Sequence, residues 1–302
     1  MSTAALLFFA MILDAIFGEP KWLWNKVPHP AVLMGKLIKW CDEQFNSGDN
    51  AKLNGVLTLL ALVTGAALLG HIISLFGGIV TILVTAILLA QKSLVQHVQR
   101  VANALRISLA EGRKTVAMIV GRDTAHMDQP AVARGAIESA AENLSDGVIA
   151  PAFWFLVGGL PGLIVYKIVN TADSMIGYKT DRHANFGWAS ARFDDLLNLI
   201  PARITAALIA LPAGVQGQWR DIIADAKLHR SPNAGWPEAA MARAIDIGLS
   251  GPRAYEGQMQ DFPFVHPTGN QFAGPSDIDA ACSMLWKAWG SALLFTTILT
   301  IL

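Results

Sequence analysis

The chain alternates long apolar runs with polar stretches, and several runs are of membrane-spanning length. Residues 3–13 form one apolar run. Residues 53–70 carry no charge, and the stretch continues past His71 to Phe76. Gly77 and Gly78 then precede a second run, residues 79–90. Two apolar runs joined by a glycine pair predict a helical hairpin in the bilayer, where every backbone polar group needs a partner inside the protein. A span takes about 20 apolar residues. The first arm meets that length, and the second reaches it by continuing through Gln91, Lys92 and Ser93.

The third region, residues 148–169, is interrupted by Gly158-Gly159-Leu160-Pro161-Gly162. That sequence is a turn signal. It favours two half-length helices that enter and return on the same side over a single span broken in its middle. A fourth run, residues 196–213, contains Pro201 and Arg203, and with Pro212 these allow a shallow or buried helix. A fifth, residues 291–302, spans only with the help of residues 285–290.

The polar stretches keep a helical period. Leu94, Val98, Val101, Leu105 and Leu109 form a stripe, with Gln96, Gln99, Arg100 and Arg106 elsewhere on the circumference. In residues 31–45, Leu33, Leu37, Trp40 and Phe45 oppose Lys36, Lys39 and Glu43. Such a helix lies along the membrane surface or packs against other helices. No repeat, low-complexity tract or strand-like alternation is present. The pattern predicts an all-α, polytopic integral membrane protein with a helical hairpin, re-entrant or broken helices, and cytoplasmic helical and loop segments, in one membrane-embedded domain over residues 1–302.

Composition agrees. Of 302 residues only 15% are charged, against roughly 25% in soluble proteins, and the mean hydropathy is +0.41. Lys plus Arg equals Asp plus Glu at 23 each, so nothing argues for nucleic acid. With only Cys41 and Cys282, a disulfide scaffold and a four-cysteine zinc site are both excluded. The first Lys is Lys21 and Asp14 sits inside the first run, which favours a retained helix over a cleaved signal peptide. Residues 19–53 carry five Lys/Arg, residues 91–147 seven and residues 215–287 six, while the glycine turn carries none. The basic segments therefore read as cytoplasmic and the hairpin tip as external. Residues 170–196 carry three, which leaves their side undecided.

In so apolar a chain, ionisable groups beside membrane runs are functional candidates. Asp14, followed by Gly18-Glu19-Pro20, is either such a group or a buried helix-end acid satisfied by nearby backbone. His29-Pro30 comes next, and a lone histidine proves little. The strongest constellation lies at residues 138–147. Pro130 suits a first helical turn, and Ala133, Ile137, Ala140 and Leu144 form an apolar face. Glu138, Glu142 and Asp146 then stand one above another. Like charges on one stripe repel by tenths of a kcal/mol per pair. A divalent cation or a row of Arg would offset that; the alternative is a solvated acidic face paired with Arg134. A second cluster holds Tyr166, Lys167, Asn170, Thr171, Asp173, Ser174 and Gly177, with Asn170, Asp173 and Gly177 on one helical face, suited to metal or phosphate. A third contains Phe186-Gly187-Trp188, Arg192, Asp194, Asp195, Asn198 and Pro201-Ala202-Arg203. A fourth, Ser231-Pro232-Asn233-Ala234-Gly235-Trp236-Pro237-Glu238, reads as a rigid binding loop before another helix. No phosphate-loop, G-x-G-x-x-G, H-E-x-x-H or G-x-S-x-G motif occurs.

Together with Asp14, Gly18-Glu19-Pro20, His29-Pro30, Gly35, Gly121-Arg122-Asp123-Thr124 and Ala150-Pro151, these clusters resemble the CobD/CbiB family of cobalamin biosynthesis, the adenosylcobinamide-phosphate synthases. The resemblance runs from about residue 10 to about residue 260. It implies an ATP-driven amide ligation that joins an aminopropanol, usually as its phosphate, to the free propionate of adenosylcobyric acid. Such chemistry proceeds through an acyl phosphate and needs Mg2+, cationic groups around phosphates and a base for the amine. Residue chemistry then nominates Glu138, Glu142, Asp173 and Lys167 as catalytic, and Glu142, Asp146 and Asp173 as metal ligands. It nominates His29, Arg122, Asn143, Asn170, Arg182, Asp194, Asp195, Asn198, Arg203, Asn233, Trp236 and Glu238 for substrate or phosphate. The partners implied are adenosylcobyric acid, aminopropanol phosphate, ATP and the lipid bilayer, with other corrin-pathway enzymes as further candidates. The location implied is the inner cell membrane, with the active face cytoplasmic. ATP is cytoplasmic, so the motif segments should share that face, a second reason to expect a re-entrant 148–169.

Two rival readings differ in class. An intramembrane Mg2+-dependent polyprenyl-type transferase also sets Asn and Asp at helix ends, but the acids here lack its paired aspartate-rich spacing. A non-enzymatic membrane sensor or transport component has little need for so many costly charges.

Overall fold

The computed structural model describes residues 1–255 and 258–301. Its helices run, in chain order, α1 Thr3–Phe17, α2 Lys21–Trp24, α3 Pro30–Phe45, α4 Ala51–Ser74, α5 Gly78–Leu88, α6 Gln91–Ile107, α7 Leu109–Val116, α8 Gln129–Leu144, α9 Ala150–Ile176, α10 Trp188–Ala213, α11 Trp219–Ala226, α12 Gly235–Ala244 and α13 Pro275–Ile301. Strand pairing among the described residues consists of two short antiparallel ribbons and one isolated parallel bridge, Ile247 to Asn270. One ribbon joins β1 Leu249–Ser250 to β4 Phe264–Val265, the other β2 Arg253–Tyr255 to β3 Gln258–Gln260. Five helical stretches, Ala51–Ser74, Gly78–Ile107, Gln129–Ile176, Trp188–Ala213 and Pro275–Ile301, are long and apolar enough to cross a membrane. The chain is an all-α, multi-pass membrane protein, as its hydrophobic pattern predicts. It divides into two compact units. The first takes Met1–Ala90, Asp146–Leu199 and the chain from Phe295 on; the second takes Gln91–Ser145 and Ile200–Leu294.

In the first unit, α4 and α5 form the expected hairpin around Gly77. Leu57, Leu60, Leu68 and Ile72 of α4 are exposed, which is the surface that hydrocarbon covers. α1 packs on α5 and α9 with Leu7, Ala10, Met11 and Asp14 buried. The long α9 is two arms folded back on each other. Its reversal is at Gly159, with φ 61° and ψ −154°, a region that is essentially closed to residues with a side chain. The Gly162 Cα lies against the Trp154 carbonyl, although a straight helix would hold these residues about 12 Å apart. Tyr166 Oη lies 3.3 Å from the Asp146 carbonyl, against about 30 Å along a straight helix. The segment is re-entrant, as the Gly-Gly-Leu-Pro-Gly signal predicts.

The returning arm runs antiparallel to α4. A Cβ on Gly70 would stand 2.6 Å from the Cα of Pro161 at the bend, and Gly55 meets the Phe186 carbonyl just beyond the arm's end. On α3 the buried residues are Ile38, Cys41 and Asp42, while Leu33, Leu37, Trp40 and Phe45 are exposed. The apolar stripe of α3 thus points out of the protein, the arrangement that lying along a membrane surface requires. α10 continues through Pro201, which has no N–H for the Leu197 carbonyl. The Trp154 indole N–H takes that place, donating to Leu197 O at 3.1 Å.

In the second unit the stripe of α6 buries Val98, Val101, Ala102 and Leu105, and α6 packs on α7 and α8. α8 begins at its Asp128 cap, whose carboxylate accepts from Ala131 N at 2.8 Å, and it buries Ala133, Ile137, Ala140 and Leu144. Its other neighbour is α12.

Replacing Gly70 by Ala drives a methyl group into the backbone of the bend, an overpacking that costs about 1–3 kcal/mol. Gly65, on the same helix, has nothing within 4 Å of the position its Cβ would take. Thermal unfolding of the detergent-solubilised protein is expected to show Gly70→Ala clearly destabilised and Gly65→Ala unchanged or slightly stabilised. Equal behaviour of the two would contradict the packing of α4 on the bend.

Candidate functional site

In the second unit, α8 buries Glu138 to 4% exposure, where an ionised carboxylate must be matched by donors. Arg122 donates to its Oε2 at 2.6 Å and Arg253 to the same oxygen at 3.3 Å, while Ser250 N donates to Oε1 at 2.7 Å. Arg253 also donates to Ser250 Oγ. Both guanidinium side chains are largely enclosed, 8% and 12% exposed. Gly135 makes room for Arg122, since a Cβ there would stand 2.9 Å from Arg122 Nη2. Arginines therefore offset the acidic stripe of α8 at Glu138, and a solvated face paired with Arg134 does not form there. Arg134 instead donates to the Gln271 carbonyl at 3.1 Å. The stripe itself ends early, because a π-helical turn at Ser145–Ile149 changes the register before Asp146. Glu142 and Asn143 are exposed on α8, and Asn143 Nδ2 donates back to Ser139 O at 2.8 Å.

Arg122 and Arg253 line a cavity of about 840 Å³ together with Asp123, Thr124, His126, Asp128, Arg134 and Ser250. Nearby in the same unit, Ser231 Oγ accepts from the backbone N–H groups of Asn233 and Ala234, both at 3.2 Å, fixing the start of α12. Arg203 stacks over Trp236 at 4.5 Å and reaches Asn233 Oδ1 at 3.4 Å; Trp219 flanks Trp236 at 6.0 Å. Glu238 lies in the first turn of α12 and is 3% exposed. Its Oε1 is 3.6 Å from His229 Nε2. Since His229 Nδ1 accepts from Ser231 N at 3.0 Å, the neutral ring carries its proton on Nε2, toward Glu238. Burial, and then the charges of Glu138 and Glu142, push the Glu238 carboxyl well above the usual range. Burial likewise lowers His229. Burial thus favours the uncharged form of both groups.

In the first unit, the returning arm of α9 carries Tyr166, Lys167, Asn170 and Asp173. Asp194 Oδ1 accepts from Asn170 at 3.3 Å and its Oδ2 from Asn198 at 3.0 Å, while Tyr166 Oη donates to Asn198 Oδ1 at 3.0 Å. Asp194, Asn198 and Tyr166 are all buried. Asp195 is half-buried with Arg192 3.8 Å away, and Asp173 is half-buried on the same face as Asn170. His29 caps α3, its Nδ1 accepting from Ala31 N at 3.2 Å. Burial lowers it below the usual histidine value despite the opposing charge of Glu19.

Arg182 is turned to Asp42, donating to Oδ2 at 2.6 and 3.1 Å, and Asn46 donates to Oδ1 at 2.7 Å. Burial by itself would raise Asp42, but the bonds from Arg182 and Asn46 and the Arg182 charge outweigh it and hold the carboxyl below the usual range. Arg182 thus ties the segment after α9 to α3.

Of the nominated residues the fold joins Glu138 to Arg122, and Arg203 to Asn233 and Trp236, in the second unit, and Asp194 to Asn170 and Asn198 in the first. Among the described residues, no three His, Cys, Asp or Glu side chains converge as a ready cation cage. Sequence reasoning missed Arg253, Ser250 and His229. Arg253 follows only a Gly251-Pro252 turn signal, which says nothing about the carboxylate it faces.

Fold and site together define a multi-pass helical membrane protein that encloses acids and arginines beside a cavity. The family model described as CobD/Cbib protein matches residues 7–285. "Cobalamin biosynthesis protein CobD" of Rhizobium meliloti (strain 1021) is 47% identical over 302 residues, covering 94% of this chain and 92% of its own. The protein of that name from Sinorhizobium fredii (strain NBRC 101917 / NGR234) is 48% identical, with 94% and 92% covered. That from Rhodobacter capsulatus is 41% identical, with 100% and 99% covered. No solved structure matches the chain. The chain belongs to the CobD/CbiB family.

Two outcomes follow from this geometry. Glu138→Ala leaves two buried guanidiniums without their carboxylate, a change that costs about 3–5 kcal/mol, readable as a large drop in melting temperature. For Glu238 the folded state holds a proton that the unfolded chain releases above the ordinary glutamate value of 4.5. Its contribution is full below that value and is lost as pH rises through the folded one. Glu238→Gln should therefore gain stability on the wild type as pH is raised from 4.5; melting curves across pH that stay parallel would refute a neutral Glu238.

Proposed function

We propose that the protein acts in cobalamin biosynthesis, the process named for its relatives, as an ATP-dependent ligase at the cytoplasmic face of the inner membrane. It forms an amide between the free propionate of adenosylcobyric acid and the amine of aminopropanol phosphate or aminopropanol. In the first step a propionate oxygen attacks the γ-phosphorus of ATP and ADP leaves, giving an acyl phosphate. In the second the amine nitrogen attacks the acyl carbon, phosphate leaves with the electron pair of the C–O bond, and the nitrogen gives up a proton. The observation that carries this reading is the Arg122–Glu138–Arg253 set at the wall of a cavity. Oriented guanidiniums of this kind suit phosphate oxygens, and a sensor or transport component has no need of them.

On this reading Lys167, on the returning arm of α9, meets phosphate charge, and Asp173 is placed to take the amine proton. Arg203 and Trp236 offer a stacked cationic platform to a substrate face. Mg2+ neutralises phosphate charge when bound. It is typically held by one or two carboxylates together with substrate phosphates, so Asp146 and Asp173 in the first unit, and Glu142 in the second, would each fit as a partial ligand without a preformed cage.

The test is genetic. Deleting the gene in a host that makes cobalamin de novo should abolish growth on cobyric acid and leave growth on cobinamide intact. Growth of the deletion strain on cobyric acid would remove this function.

A further inference from the structure

The geometry points to the Arg122–Arg134–Arg253 cavity as the site for a short amino alcohol esterified to phosphate, bound by both of its charges. This assignment rests on the ligase reading above and places one of its substrates. The cavity, about 840 Å³, is of small-ligand size. Its arginines are already oriented: Arg122 and Arg253 by Glu138 Oε2, Arg134 by the Gln271 carbonyl. The Nε of Arg253 is buried with no hydrogen-bond partner, a desolvated donor that an added acceptor would satisfy. The first turn of the 16-residue α8 reaches the same cavity through Asp128 and Ala131, and the Asp128 carboxylate that caps it is held there by Ala131 N.

Charge balance separates the ligand classes. Arg122, Arg134 and Arg253 are countered by Glu138, Asp123 and Asp128, so the site has no formal charge to attract a triphosphate. A ligand with phosphate at one end and ammonium at the other meets both sets: phosphate on the guanidiniums, ammonium toward Asp123 and Asp128. The phosphates of a nucleotide share part of this chemistry and are the competing source.

Titration calorimetry on the full-length, detergent-solubilised protein distinguishes them, with aminopropanol phosphate, propyl phosphate and the Mg2+ complex of a non-hydrolysable ATP analogue as probes. Arg134→Gln and Arg253→Met should each weaken aminopropanol phosphate by about tenfold or more, the loss of a charge-assisted contact. Both should leave the nucleotide analogue within about twofold. Asp123→Asn should weaken aminopropanol phosphate and spare propyl phosphate. Arg134 does not hold Glu138, so Arg134→Gln keeps the test valid where Arg253→Met fails to fold. Selective loss of the nucleotide analogue would make this the nucleotide site and overturn the assignment; unchanged affinities for all probes would overturn it too. If the wild type ligates cobyric acid while these variants keep their affinity, the pocket assignment alone fails. A wild type that neither binds aminopropanol phosphate nor ligates sinks both.

Discussion

A chain that turns around within an apolar segment must bend without stranding backbone groups, and the first unit is organised around that demand. The bend at Gly159 works because the residue has no side chain to clash at φ 61°, and Pro161 contributes no N–H that would need an acceptor. Gly70 lets α4 close on the bend. The same accounting recurs at Pro201, where the indole of Trp154 supplies the N–H that the helix lacks. The returning arm, residues 160–176, is longer than the departing one, residues 150–158, and on it Tyr166 meets the Asp146 carbonyl. Lys167, Asn170 and Asp173 follow within two turns, so the bend delivers the polar residues of α9 to one end of the unit.

The two units solve the burial of acids differently. In the first, Asp194 is met by amides, and Tyr166 and Asn198 extend the network; nothing in that network carries a formal positive charge. In the second, Glu138 is met by two guanidiniums and a backbone N–H. Removing two charges from water is expensive, and such a set is weak support for stability when compared with a packed apolar core. What it does provide is two guanidiniums held in fixed orientation at the wall of a cavity.

The hydrophobic pattern made most of this architecture legible. The α4–α5 hairpin, the reversal at residues 158–162 and the buried face of α8 all follow from where apolar residues, glycines and prolines fall, since those signals act through local backbone geometry. The pairing of charges was less legible. On an ideal helix Asp146 continues the stripe of Glu138 and Glu142, but the π turn at Ser145–Ile149 breaks that register, and nothing in the residue types there announces it. Arg182 reads as a phosphate partner from its neighbours, yet the fold turns it to Asp42, 140 residues away in sequence. Arg253 is 115 residues from the carboxylate it completes. Spacing reports what shares a helix face and is silent about what another element brings to it.

That distinction changes which acid can act as a base. Glu138 was the most conspicuous acid of the sequence, but its two oxygens accept three donors, two of them cationic. A proton taken there would displace the bonds that orient Arg122 and Arg253, so its role on the proposed reaction is to position them. Glu238, buried beside a His229 whose proton faces it, has its carboxyl held well above the usual range by burial, which favours the protonated form. On the proposed reaction the amine's proton goes to a carboxylate outside the arginine set, and Asp173, half-buried on the returning arm beside Asn170, is the acid we propose for it.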